Sequence, residues 1–368
     1  MLKAKDDIPW WKTLYGEEEI AHISASIRDL RISQGAITEK FETRVCEILQ
    51  VPFAVAVPSC SIAMVLALMT LGVGPGDEVI VPDRTFIATA HAATLLGATV
   101  ILADIRSDLP LLDLSRLEQR ITSRTKVIMP VHLNGRFVDM QALQEIARKH
   151  GVFLIEDAAQ AFFSQHPSGF AGTLSDIGCF SFGMTKLIST GQGGMCVTRS
   201  RDLYEKMKLI RNHGVELGRT HDSEFHVKAS NFKFTDILAS GGLVQLERLP
   251  EKVRQVNEIY RRYREGLAGL GFIKLIPVDV DAGEVALWTE VLVPERERFM
   301  SYLSEKRIAT DRFLPDLHHS RHLGQTQAIA EASVFDRQGF ILPCGPHMSM
   351  DAVDRVIDEI RKSAVEFG

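Results

Sequence analysis

The stretch "DIGCFSFGMTK" sets one lysine, Lys186, behind an apolar run that reads as a buried strand, with Ser181 inside that run. An ammonium enclosed among apolar strands is expensive unless it is paired or chemically used. One use is nucleophilic, since an amine adds to a carbonyl to form a Schiff base; the alternative is a surface lysine on a loop. A second signal is the end of "VFLIED", where Asp157 follows Glu156. Ligands of open α/β sheets gather at the carboxyl ends of strands, although an acid there serves equally to cap a helix over "AAQAFF". A third is "PSCSIAM", which puts Ser59, Cys60 and Ser61 at a strand-to-helix junction. Free amides and hydroxyls at such a junction hold an anion such as a phosphate, or simply cap the helix. Each signal alone has an ordinary structural explanation; an amine, an acid and an anion cradle on one scaffold describe a site.

The elements that must position them alternate in type. Between residue 51 and about residue 200, "FAVAV", "EVIVP", "TVILAD", "KVIMPVH" and "VFLIED" read as strands. The intervening "SIAMVLALMTLG", "TFIATAHAATLLG", "DLSRLEQRI" and "DMQALQEIARKHG" read as helices, so the pattern predicts an α/β fold with a mainly parallel sheet flanked by helices. A polar loop follows around "NHGVELGRTHDSEFH". A long helical stretch from Gly241 to Leu270 comes next, which Pro250 should kink or interrupt. The remainder predicts a smaller C-terminal α+β unit, giving domains over 1–245 and 246–368.

Composition excludes several classes. At 45% hydrophobic and 24% charged residues, the 368-residue chain buries a full core, and its net charge of -5 gives no basic footprint for nucleic acid. Five scattered cysteines, without a Cys-x-x-Cys pair, suggest free thiols and neither a zinc knuckle nor a disulfide framework. No segment approaches membrane-spanning length and "MLKAKDDIPWWKTLYGEEE" is charged where a signal peptide is apolar, so a cytoplasmic protein is expected. No metal is expected: His318, His319 and His322 read as a solvated loop. "GVGPG" lacks the spacing of a dinucleotide fingerprint, and "SRTK" has none of the companion motifs of a serine-lysine hydrolase.

Seven motifs carry a resemblance that runs from Ile8 to Lys362: "GPGDEVIVP", "TFIATAHAATLLGA", "VIMPVHLNGR", "LIEDAAQA", "DIGCFSFGMTK", "GGMCVT" and "NFKFTDILASGGLVQLERL". The chain resembles the DegT/DnrJ-type sugar aminotransferases, pyridoxal-phosphate enzymes of fold type I, the aspartate aminotransferase fold. The resemblance implies that Lys186 forms the internal aldimine and shuttles a proton, and that Asp157 pairs with the pyridine nitrogen. It implies that Gln160 lies near the cofactor's phenolic oxygen, Phe86 stacks on the ring, and Ser181 with Cys60 and Ser61 binds the phosphate. Asn231 matches an asparagine that reaches the phosphate in the neighbouring subunit, which implies a homodimer with shared sites; Lys233 stands where a basic residue is frequent.

Departures from the pattern fall in the phosphate cradle and toward the substrate. Cys60-Ser61 replaces Gly-Thr, Asn134 stands where tyrosine is frequent, and Asp83-Arg84 replaces neutral residues, so that Arg84 either contacts an anionic substrate group or forms a salt bridge. The activity implied is transfer of an amino group from L-glutamate to a keto group of a nucleotide-linked deoxysugar, through a pyridoxamine phosphate intermediate. A related dehydratase branch carries histidine at the Schiff-base position, against which Lys186 stands. A non-catalytic regulatory protein that binds the same cofactor would leave the lysine-aspartate-serine set without a use.

Overall fold

A computed structural model describes residues 7–215, 227–323 and 333–368, so most of the polar loop expected after residue 212 lies outside the described residues. Strands β1 (Phe53–Val57), β2 (Glu78–Pro82), β3 (Thr99–Ala103), β4 (Thr125–Ile128) and β5 (Phe153–Asp157) stand where the β-branched runs put them. A small hairpin of β6 (Gln165–His166) and β7 (Gly169–Phe170) follows, then β8 (Ile177–Ser181) and β9 (Gly194–Thr198). The seven-stranded sheet has the order β1-β9-β8-β5-β4-β2-β3; β9 is antiparallel to both neighbours and every other pairing is parallel.

Alternation along the strands loads both faces of this sheet. Val55, Val57 and Cys179 join one apolar cluster, whereas Ala54, Ala56 and Phe180 join a second. A further sheet, with order β10-β11-β13-β12, is antiparallel throughout and comprises β10 (Lys274–Leu275), β11 (Thr289–Leu292), β12 (Asp311–Arg312) and β13 (Gly339–Leu342). No helix among the described residues is long and apolar enough to cross a membrane.

Three helical expectations are corrected. "DLSRLEQRI" forms only a 3-10 turn at Leu117–Arg120. "AAQAFF" forms no helix: Asp157 takes the Ala159 amide, Phe163 adopts φ 72°, and the chain turns toward the β6–β7 hairpin. The helix in "TFIATAHAATLLG" begins only at Ala88, which leaves Thr85 to Ile87 as a loop. The expected interruption near Pro250 is present, for the stretch splits into helices Asp236–Glu247 and Leu249–Gly266 with the proline in the first turn of the second. Pro is tolerated there because its missing N–H has no helical partner anyway.

The register of β9 brings the signals together. Gly194 lies opposite Val57 on β1 and Ser181 on β8, so the carboxyl ends of β1 and β8 flank it, and β5 ends beside β8 in Asp157. A Cβ on Gly194 would lie 2.3 Å from the Ser59 carbonyl carbon and 2.5 Å from the Cys60 nitrogen. The glycine is what lets the start of helix Cys60–Thr70 sit against the sheet. Gly194→Ala is therefore expected to lose about 1–3 kcal/mol of stability by overpacking against rigid backbone. An unchanged thermal midpoint would contradict this close approach.

Candidate active site

A cavity of about 450 Å³ opens at the carboxyl edge of the large sheet. Ser59, Cys60 and Ser61 line it from the helix start, Phe86 from the loop after β2, Asp157 and Gln160 from the end of β5, and Ser181 and Lys186 from the end of β8 and the loop beyond. Phe86 is 56% exposed, so its ring is free at the cavity and not a core packing element. Ser59 caps the helix by accepting the Ile62 amide at 3.2 Å, and Ser61 is exposed beside it. The first turn of that helix directs further amides with unspent hydrogens toward the same end.

The two charged groups are both held against their preferred states. Asp157 is buried, and despite accepting Thr89 Oγ1 at 2.7 Å and the Ala159 amide at 3.0 Å its carboxyl is pushed above the usual range by desolvation. Burial likewise pulls the Lys186 ammonium below its ordinary value, against the opposing pull of Asp157. Its Nζ sits 5.0 Å from the centre of the Trp288 ring. Cys60 is a neutral wall, because burial pushes its thiol well up.

The loop that carries Lys186 is clamped from two sides. Trp11 Nε1 donates to the Met184 carbonyl at 3.1 Å, Thr13 donates to the same oxygen, and Tyr15 donates to the Ser189 carbonyl at 2.8 Å. From beneath, the buried Lys252 donates to the Leu187 carbonyl at 3.2 Å and to Gln245. Trp10, from the same N-terminal segment, lines the cavity and meets Trp288 edge-on at 6.4 Å.

An enclosed amine, a carboxylate with a spare lone pair, an exposed aromatic face and a hydroxyl-rich helix start match the four parts of pyridoxal phosphate: aldehyde, ring nitrogen, ring face and phosphate. The chain matches the model of the DegT/DnrJ/EryC1/StrS aminotransferase family over residues 14–361. It belongs to this family of sugar aminotransferases. A GDP-perosamine synthase of Caulobacter vibrioides is 36% identical over 335 residues, covering 88% of this chain and 89% of that one. The structure of Streptomyces venezuelae DesV in complex with a ketimine intermediate is 34% identical with a TM-score of 0.89, covering 94% of each chain. The PLP form of the putative sugar aminotransferase Spr1654 from Streptococcus pneumoniae is 27% identical with a TM-score of 0.92, covering 98% of this chain and all of that one.

Two residues expected toward the substrate of this aminotransferase are enclosed instead. Arg84 is fully buried, bonded to Asp316 at 2.5 Å and packed over Phe313, so it is a structural cation and the salt-bridge alternative holds. Asn134 is also fully buried, at φ 54°. Its amide donates to the Trp288 carbonyl at 2.7 Å and accepts the Trp288 amide at 2.6 Å, while its own backbone N–H donates to Gln160 Oε1 at 2.9 Å. It orients wall residues and does not face the cavity. Lys233 donates to Asn212 Oδ1 at 3.2 Å, outside the lining, and Asn231 is exposed away from it.

The loop histidines are corrected in part. His318 is mostly enclosed, its Nδ1 2.6 Å from Asp83 Oδ2. Asp316, His318 and His319 bring ligand-capable atoms within 4.8 Å of one another, yet Asp316 is already engaged by Arg84 and His318 by Asp83.

Sequence reasoning missed Thr89, Trp10, Trp288, Asp311 and Arg312. Thr89 carried a signal, standing one helical turn beyond Phe86. Replacing Asn134 by alanine is expected to leave the Trp288 backbone without both partners, a loss of about 2–3 kcal/mol. The fluorescence of Trp288 should change with it; an unaltered melting curve and spectrum would refute the pinning role.

Proposed function

We propose that the protein takes an amino group from L-glutamate and delivers it to a keto group of a nucleotide-linked deoxysugar, with pyridoxal phosphate as cofactor. The observation that carries this reading is the enclosure of Lys186 and Asp157 in one cavity beside the free ring of Phe86 and the serine-rich helix start. Lys186 would hold the aldehyde, Asp157 the ring nitrogen, Phe86 the ring face, Gln160 the phenolic oxygen, and Ser61, Ser181 and the amides from Cys60 onward the phosphate. When bound, pyridoxal phosphate supplies the carbonyl that accepts the amine and a ring that withdraws an electron pair from the reacting carbon.

The chain's own part is proton movement and positioning. Burial biases Lys186 Nζ toward the neutral amine, the form that acts as a base. It would take the proton from the amino-bearing carbon of the donor and place it on the carbon that carried the cofactor's aldehyde, and in the return half it would carry a proton from that carbon to the former keto carbon of the sugar, ending as the free amine it began as. Asp157 keeps a proton on the ring nitrogen through charge-assisted hydrogen bonding, with Thr89 fixing its second oxygen.

Asn231 reaches the phosphate of a partner subunit in this reading, so the working unit is a homodimer with shared sites. The chain divides into a cofactor unit over 1–245 and a smaller unit over 246–368. Both act in the cytoplasm on sugars bound for polysaccharide. The match to a GDP-perosamine synthase supports a nucleotide sugar as acceptor.

Addition of L-glutamate to protein loaded with pyridoxal phosphate is expected to abolish its visible absorption band, and Lys186→Ala should abolish turnover. A protein that stays colourless with added pyridoxal phosphate, or a Lys186→Ala variant with near-normal rates, would refute the assignment. Asn231→Ala should weaken cofactor retention, and mixing it with Lys186→Ala should restore part of the activity through hybrid dimers. No recovery despite verified subunit exchange would argue against sharing.

A further inference from the structure

We propose that Asp311 selects the sugar: its carboxylate accepts hydrogen bonds from hydroxyl groups of a neutral hexose and excludes hexoses that carry an acid. The inference rests on the nucleotide-sugar reading of the cavity. Asp157 and Lys186 are committed to the cofactor end. Among the described residues, the cavity's other charged side chains are Asp311 and Arg312, which come together on β12.

The two are not equivalent. The Arg312 guanidinium donates to Glu297 Oε2 at 2.8 Å, an exposed pair that turns its charge to the helix Arg296–Glu305. Asp311 receives only the Arg312 amide, at 2.9 Å on Oδ1, and among the described residues no ion pair joins it to a cation. Its place follows from register: Asp311 lies opposite Ile341 on β13, and both line the cavity. The lining of the same cavity includes the apolar Leu314 and Ile341 and the tryptophans Trp10 and Trp288.

A carboxylate is an acceptor with about four lone-pair positions, suited to two neighbouring hydroxyls at once. Desolvation pushes Asp311 above the usual carboxylate range, so donors supplied by a ligand replace water it has partly lost. A carboxylate on the incoming sugar meets like charge at a partly desolvated position, which makes Asp311 a device of rejection as well as attraction.

The test is calorimetric titration of the protein loaded with pyridoxal phosphate, using UDP-glucose against UDP-glucuronate and GDP-mannose against GDP-mannuronate. These are binding probes and need no turnover. The wild type is expected to bind the neutral sugar of at least one pair at least tenfold more tightly than the acid, the scale of one hydrogen bond to a charged group. Asp311→Asn and Asp311→Ser should each shrink that ratio by about tenfold, mainly through tighter binding of the acid, with circular dichroism verifying the fold. Equal binding of the two members by the wild type overturns the proposal, as does a ratio unchanged in both variants. Binding of no nucleotide sugar at all overturns the nucleotide-sugar reading itself, and the role of Asp311 with it.

Discussion

Two titratable groups of opposite sign share one enclosure, and burial opposes the charge on each. Desolvation raises Asp157 and lowers Lys186, so neither state is comfortable without a partner inside the cavity. Thr89 and the Ala159 amide stabilise the carboxylate in part, and the face of Trp288 lies beside the ammonium. A ligand that presents a protonated ring nitrogen to one and a carbonyl carbon to the other relieves both penalties together. Poised groups of this kind are characteristic of catalytic centres.

The remaining structure can be understood as what holds that enclosure in shape. The sheet contributes one end of the cavity, with β1, β8 and β5 ending side by side around Gly194. The loop bearing Lys186 has no regular structure of its own and depends on Trp11, Thr13, Tyr15 and Lys252 for its path. Further lining comes from Trp288, which immediately precedes β11, and from Asp311 and Arg312 on β12 of the antiparallel sheet. Enclosed polar pairs join the segments beside that lining to the loops of the large sheet: Asn134 to Trp288, Arg136 to Glu290 at 2.6 Å, Arg84 to Asp316 at 2.5 Å and Asp83 to His318 at 2.6 Å. Removing one member of such a pair leaves the other uncompensated, which is why these positions are structural even though they neighbour the site.

The meeting of Asp157, Ser59 to Ser61 and Lys186 at one cavity was legible in the sequence because these residues sit where local patterns end. Asp157 closes a strand, Ser59 to Ser61 open a helix, and Lys186 follows an apolar run. The lining from Trp288, Asp311 and Arg312 was not legible, because it depends on distant pairings. Nothing local announces that Asn134 will bond Trp288 or that Arg84 will find Asp316. Polar residues beside a predicted site therefore looked like ligand contacts when tertiary partners had already claimed them. The helix expected after Asp157 failed for a related reason, since the acid spends its capping capacity on a tight turn that leads into the β6–β7 hairpin. Asp311 and Arg312 were invisible because only the register of β12 against β13 aims them.

The central claim is that Lys186 is the amine that engages the cofactor's carbonyl. Borohydride reduction of the protein loaded with pyridoxal phosphate, followed by digestion and mass spectrometry, tests it most directly. The account predicts one phosphopyridoxyl group, on the peptide containing Lys186. A label on a different lysine, or no label on a protein that retains the cofactor, would contradict it.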